Sequence, residues 1–260
     1  MKKLLSILSV LALAAALGAC GPKPEAPADA GPRFVVGFDA EFDPFGFLDG
    51  DEYKGFDLDL AREVCRRRGW TFVPHPLAWD AKEEVLQSGA VSCIWSGFTI
   101  QGREDAYEWT PPYVDNSQVV LVLAPSALQT LKDLLGRNLA VQVETPVLAT
   151  LQPGGDCEEF GASLGSIHEF RTCNDAVAAL ERGAVDAVAM DIGVARRKMA
   201  DRPGAFRLLD EPIMTETYGI GFRKGDADLR DQVWATYRDM LADGTVETLA
   251  ARYGVDGVIR

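Results

Sequence analysis

From residue 34 onward, apolar positions come in short blocks whose period switches between strand and helix. Phe34-Val35-Val36-Gly37-Phe38 is an apolar run of strand length. Asp57-Leu58-Asp59-Leu60-Ala61-Arg62-Glu63-Val64-Cys65 places apolar residues at helical spacing behind a capping Asp. Trp70-Thr71-Phe72-Val73 returns to a strand, Ala81 to Gln87 to a helix, and Val91-Ser92-Cys93-Ile94-Trp95 to a strand. Strands alternating with helices predict parallel α/β layers. The stretch Leu86-Gln87-Ser88-Gly89-Ala90-Val91-Ser92-Cys93-Ile94 is echoed by Leu180-Glu181-Arg182-Gly183-Ala184-Val185-Asp186-Ala187-Val188. Each reads as a helix end, a Gly stop and a buried strand. The echo predicts two α/β lobes of similar build, against a chance likeness of a common motif. Val119-Val120-Leu121-Val122-Leu123 and Gly219-Ile220-Gly221-Phe222 are read as the segments where the chain leaves and re-enters the first lobe. Val233 to Tyr253 is a terminal helical stretch broken at Asp243-Gly244. The expected architecture is α/β, with two lobes, a cleft and two crossings. Inter-lobe clefts are favoured small-molecule sites.

The first residues follow a different logic. Lys2 and Lys3 precede an apolar run from Leu4 to Leu17, which closes on Leu17-Gly18-Ala19-Cys20. That is the charged, apolar and small-residue order of a signal peptide, and the run is too short to span a bilayer. The closing residues resemble the lipobox of bacterial lipoproteins. The resemblance implies cleavage before Cys20, lipidation of its sulfur and work outside the cytoplasm, on the periplasmic or cell-surface side. The alternative is an ordinary secretory signal with a chance cysteine. Pro22 to Pro32, rich in Pro, Ala and Gly, reads as a flexible stalk. Residues 33–260 suffice for one large domain or two lobes.

Charge and cysteines narrow the partners. The chain carries a net charge of −13, and loss of residues 1–19, with two lysines and no acid, takes it to −15. Such acidity argues against nucleic acid, which demands basic patches. Cys65, Cys93, Cys157 and Cys173 remain beyond Cys20. An oxidising compartment permits disulfides. Proximity in sequence favours Cys65 with Cys93 and Cys157 with Cys173; buried free thiols are the alternative. No two cysteines have chelating spacing, and His75 and His168 are isolated, so no zinc site is expected.

Several stretches together look like signatures of a known family. They are Val36-Gly37-Phe38-Asp39-Ala40-Glu41-Phe42-Asp43-Pro44-Phe45, Gly55-Phe56-Asp57-Leu58-Asp59-Leu60, and Ser96-Gly97-Phe98-Thr99-Ile100 followed by Arg103. Trp109-Thr110-Pro111-Pro112-Tyr113, Asp186-Ala187-Val188-Ala189-Met190-Asp191 and Asp243-Gly244-Thr245 continue the series. In number, order and spacing they resemble the amino-acid-binding proteins of bacterial ABC importers, which include histidine-, glutamine- and lysine/arginine/ornithine-binding proteins. The resemblance implies the two-lobe periplasmic binding protein fold (type II, Venus flytrap). It implies a signal peptide over 1–19, a lipidated stalk over 20–32, lobe one over 33–112 and 219–260, lobe two over 118–213, and hinges at 113–117 and 214–218. It also implies a monomer that closes on an amino acid and presents it to permease subunits, with no cofactor.

An amino acid brings an ammonium and a carboxylate, and burying either without a partner is costly. Arg103 is the expected carboxylate partner through its planar fork. Thr99 adds a hydroxyl, and backbone N–H groups near Gly97 are expected to donate. The family's ammonium partner maps to Asp191, with helix capping as its other role. Asp39 is expected to meet the ligand side chain, with turn stabilisation as the alternative. Phe42 and Trp79 match stacking walls, and Trp95 is a third wall or core. In lobe two, Thr145 is expected on the carboxylate and Gln142 along the cleft. The chain departs from the family pattern in three places. Thr99-Ile100-Gln101-Gly102-Arg103 is one residue short, so Gly102 is expected at positive φ. Pro146 lacks an N–H donor, and Glu144 stands where a Gly is usual. Two further readings remain: a dehydratase on the same scaffold, with Glu41 or Glu144 as its acid, and a ligand-sensing module.

Overall fold

In the computed structural model, which describes residues 31–260, the chain opens with β1 (Arg33–Phe38). Three short strands follow, β2 (Glu41–Phe42), β3 (Gly46–Asp49) and β4 (Glu52–Lys54), then α1 (Phe56–Arg68) and β5 (Thr71–Pro76). A 3-10 turn at Trp79–Ala81 leads into α2 (Lys82–Gln87), β6 (Cys93–Ile94) and β7 (Glu108–Trp109). Next come β8 (Val114–Leu123), β9 (Asn138–Gln142), α3 (Pro146–Leu151), α4 (Glu158–Ser163), β10 (Ser166–Phe170), α5 (Cys173–Glu181), β11 (Ala187–Asp191), α6 (Ile192–Asp201), β12 (Phe206–Leu208) and β13 (Met214–Tyr218). β14 (Gly221–Phe222), α7 (Ala227–Ala242) and α8 (Thr245–Tyr253) complete it. The expected signal peptide, Cys20 and all but the end of the stalk lie outside the described residues. No described helix is long and apolar enough to cross a membrane.

Two sheets carry two lobes, and their wiring is alike. The first runs β5-β1-β6-β14-β7 and the second β10-β9-β11-β8-β12, with β13 also on β8. In each, a central strand pairs in parallel with two neighbours, and a returning strand adds antiparallel. The two echoed stretches occupy equivalent places. Gly89 and Gly183 stop α2 and α5 at φ 80° and 69°, and β6 and β11 follow as the inner parallel strands.

Burial explains the elements. On α1, Phe56, Leu58, Leu60, Ala61 and Val64 are wholly buried, facing Phe34, Val36 and Phe38 of β1 in one core. Each large apolar side chain so buried contributes roughly 1.5–3 kcal/mol. A second core, with Val120, Val122, Leu139 and Val141, fills lobe two. Asp57 is not the expected cap. Gly55 occupies that position, and Asp57 lies buried inside the first turn.

The chain crosses between sheets at residues 110–113, between β7 and β8, and at 219–220, between β13 and β14. Val119–Leu123, read above as a crossing, instead lies inside β8 at the centre of the second sheet, because its apolar residues pair with β11 and β12. Residues 114–118 and 214–218 form a continuous antiparallel ladder, with Asn116 opposite Glu216. Neither favoured cysteine pairing is formed: Cys65, Cys93, Cys157 and Cys173 are free thiols. Cys173 instead donates to Gln142 Oε1 at 3.1 Å, and Cys157 packs against the second core. Burial pushes the Cys65 thiol up to about 12.

Candidate functional site

The carboxyl ends of four strands meet between the lobes, where open α/β sheets place ligands. β1 delivers Asp39, β6 leads into Ser96-Gly97-Phe98-Thr99, β9 ends at Gln142, and β11 ends at Asp191. They enclose a small cavity of about 20 Å³. Asp39, Phe42, Trp79, Gly97, Thr99, Arg103, Gln142, Thr145 and Asp191 all line it, so these nine expected ligand contacts reach one place. Ser96, Gln118 and Pro146 complete the wall.

Arg103 follows a turn at Gly102, whose φ of 78° supplies the left-handed residue that the shortened spacing requires. Its guanidinium donates from Nη2 to the Glu144 carbonyl at 2.8 Å and from Nη1 to the Thr99 carbonyl at 3.4 Å. It also lies 5.3 Å from the Phe98 ring centroid. Burial lowers its pKa. A guanidinium has five N–H donors, so three remain. Glu144 sits at φ 57°, the left-handed region that favours the glycine usual there, and its carboxylate reaches Lys82 at 3.5 Å.

Asp39 is buried at 8% exposure. Its carboxylate accepts from the Glu41 N–H at 2.9 Å, the expected turn role, and from Gln142 Nε2 across the cleft at 3.1 Å. Burial raises its pKa above the ordinary value. Gln142 is fully engaged, donating also to the Arg171 carbonyl and accepting from Cys173. Asp191 sits at the N-cap of α6 but makes no cap bond. Its Oδ1 accepts from Asn116 Nδ2 at 2.7 Å and from the Tyr218 hydroxyl. Burial raises its pKa as well.

Three expectations change. The Gly97 N–H does not face the cavity; it donates to Asp57 Oδ2 at 2.6 Å, while Tyr113 donates to Asp57 Oδ1 at 2.8 Å. Glycine is required here for another reason: φ is 52°, and a Cβ would lie 2.5 Å from Phe42 Cε1. The Thr145 hydroxyl donates to the Gln142 carbonyl at 2.7 Å, leaving only its oxygen lone pairs for the cavity. Trp95 is wholly buried core against Tyr113, so the aromatic walls are Phe42 and Trp79. Glu41 and Glu144, the dehydratase candidates, are outside the lining and bind Asn174 and Lys82.

The lobes touch through polar contacts around the cavity. Besides Arg103 to Glu144 and Gln142 to Asp39, Asn174 donates to Glu41 at 2.8 Å, Arg171 to Asp80 at 3.1 Å and Arg197 to Asp43 at 3.1 Å. The geometry is therefore a closed cleft. The rim pairs are exposed, and each is worth little alone. The described residues hold no His, Cys, Asp and Glu cluster suited to a metal.

Sequence reasoning missed a group on the ladder between the lobes. Asn116, Gln118 and Glu216 are buried, with exposures of 5%, 1% and 3%. Burial, with Asp191 beside it, pushes Glu216 up to about 7. Their short polar segments carry no apolar period to mark them as inward-facing.

Against known proteins, residues 34–256 match the family model described as bacterial extracellular solute-binding proteins, family 3. An arginine-binding extracellular protein of Bacillus subtilis is 26% identical, over 97% of this chain and 98% of its own. A histidine-binding periplasmic protein of Salmonella typhimurium is 29% identical, over 97% of both. A substrate-binding protein of an ABC uptake transporter from Streptococcus pneumoniae, solved with histidine bound, superposes with a TM-score of 0.81. It is 26% identical, and the match covers 85% of this chain and 92% of that one.

Proposed function

Since the chain belongs to the family 3 bacterial extracellular solute-binding proteins, we propose that it captures an amino acid between its lobes and delivers it to the permease of an ABC importer. The observation that carries the reading is the cavity's polarity. One guanidinium, Arg103, shares an enclosed space with two buried carboxylates, Asp39 and Asp191. A zwitterion whose side chain is cationic or strongly polar balances that set.

In this reading Arg103 takes the ligand carboxylate with its remaining donors, as planar guanidinium recognition favours. Thr99 lies beside it, and Gln142 spans the cleft. Pro146 offers no N–H, so lobe two contributes little to carboxylate binding. Asp191 takes the ammonium and Asp39 the side chain. Phe42 and Trp79 sandwich it, adding cation–π attraction for a cation. Arginine and histidine, named for relatives, both fit this description.

The ladder of β8 and β13, with the crossings beside it, serves as the hinge. Closure is driven by the ligand's greater affinity for the closed form. The chain works outside the cytoplasm, tethered by lipidated Cys20 through the stalk, as a monomer without catalytic activity. Glu41 and Glu144, at the rim, give the dehydratase reading no acid inside the cavity.

Intrinsic fluorescence tests the proposal, because Trp79 lines the cavity. Titration with the twenty amino acids should give a saturable change, with a raised melting temperature, for at least one cationic or polar member. No response to any of them in either signal would sink the reading.

A further inference from the structure

Gln118 stands on the cleft-facing side of β8, next to Asp191 in the ladder register. Its Nε2 donates to Glu216 Oε1 at 2.7 Å. Asn116 Nδ2 donates to that same oxygen at 2.6 Å and to Asp191 Oδ1 at 2.7 Å. Both amides therefore spend their NH₂ groups on carboxylates. What remains is one-sided. Gln118 Oε1 and Glu216 Oε2 are buried and have no hydrogen-bond partner. Buried acceptors without a donor are uncommon. Gln118 lines the ligand cavity beside Asp191, whereas Glu216 does not line it.

Building on the amino-acid reading above, we propose that Gln118 is a binding residue for the ligand's α-ammonium and that Glu216 is its positioning residue. An ammonium has three N–H donors, and the cavity sets two acceptors, the Asp191 carboxylate and the Gln118 carbonyl, side by side for them. Glu216 acts through the amide. Ionised, it only accepts, which turns the Gln118 NH₂ toward itself and leaves Oε1 for the cavity. Protonated, it can donate to that oxygen instead, and the amide's preference for one orientation is lost.

Burial, with the Asp191 charge, pushes Glu216 up to about 7, so the orientation changes near neutral pH. The groups facing Glu216 are Asp191 at the end of β11, Tyr218 on β13, and Arg103 and Thr99 from the loop after β6. Cys173 of α5 lies behind Asp191. Arg196 of α6 lies on the outer side of the ladder, as does Asp115, which pairs with Arg260. Asn116 and Gln118, on β8, are neutral.

The test is isothermal titration of the wild-type protein, Gln118→Met and Glu216→Gln with L-arginine, L-histidine and L-glutamine between pH 6 and pH 8. For whichever binds wild type, Gln118→Met should bind about 10–100-fold more weakly at pH 8. Wild-type affinity should fall as pH drops below 7, by up to about tenfold per unit. Glu216→Gln does not titrate and should flatten that profile. The N-acetyl form of the bound amino acid, which has one N–H in place of three, should bind wild type far more weakly and needs no variant to fold. Wild-type affinity in Gln118→Met, an unchanged pH profile in Glu216→Gln, or equal binding of the N-acetyl form overturns the inference while leaving the amino-acid reading intact. If wild type binds none of the three at any pH, the same series is run with whichever of the twenty amino acids it does bind; if it binds none of the twenty, the failure is that of the amino-acid reading, and this inference falls with it.

Discussion

Replacing Asp57 tests whether the cavity wall is held from behind by a buried carboxylate. The side chain is wholly buried in the first turn of α1 and accepts the Gly97 N–H at 2.6 Å and the Tyr113 hydroxyl at 2.8 Å. Burial pushes its pKa up to about 7, against 3.8 for an unhindered carboxylate. The folded state therefore binds a proton that the unfolded state has released, so stability falls as pH rises through the folded value. Between pH 5.5 and pH 8.5, that one group removes about 2 kcal/mol. Asparagine can accept from Gly97 and donate to the Tyr113 oxygen without ionising. Wild type and Asp57→Asn are equivalent only where the unfolded carboxyl is also protonated, so Asp57→Asn should exceed wild type by about 2 kcal/mol near pH 5.5 and by about 4 kcal/mol near pH 8.5. Asp57→Ala leaves two buried donors unpartnered, at about 1–3 kcal/mol each. It should cost roughly 2–6 kcal/mol at either pH, a large share of a typical stability. Urea denaturation of ligand-free protein at both pH values measures all three. Parallel pH dependences for wild type and Asp57→Asn would refute the reasoning, as would an alanine variant within about 1 kcal/mol of wild type.

Gly97→Ala places a methyl 2.5 Å from Phe42 Cε1 at a φ of 52°. It should destabilise by about 1–3 kcal/mol and weaken ligand binding, as a thermal melt and a titration will report. Cys65, Cys93 and Cys173 are buried, and their thiols are raised by burial, while Cys157 is half-buried. Ellman's reagent at pH 8 should therefore modify Cys157 first and the other three only after denaturation; an intact mass two hydrogens light per pair would instead reveal disulfides.

Much of the fold was legible because burial repeats locally. The apolar spacing of α1 and the Gly-terminated α2–β6 and α5–β11 units carry their environment in their own periods. The nine candidate residues also reach one cavity, since most follow strand ends. What stayed hidden was set by distant partners. Asp57 read as a cap because its neighbours look like a helix start, yet its carboxylate serves Gly97, 40 residues away. Asn116 and Glu216 meet 100 residues apart in segments that the resemblance marks only as hinges. Gly97 lines the cavity, but its N–H direction depends on that same Asp57. Val119–Leu123 misled because a buried central strand and a crossing strand are equally apolar.

The central claim is that an amino acid is held between the lobes with its carboxylate on Arg103. Calorimetric titration of wild type and Arg103→Met, each with the twenty amino acids, addresses it most directly. The account predicts one saturable site for a cationic or polar amino acid, with affinity reduced about 100-fold or more in the variant, since a buried charge loses its partner. Binding that survives Arg103→Met unchanged would contradict it.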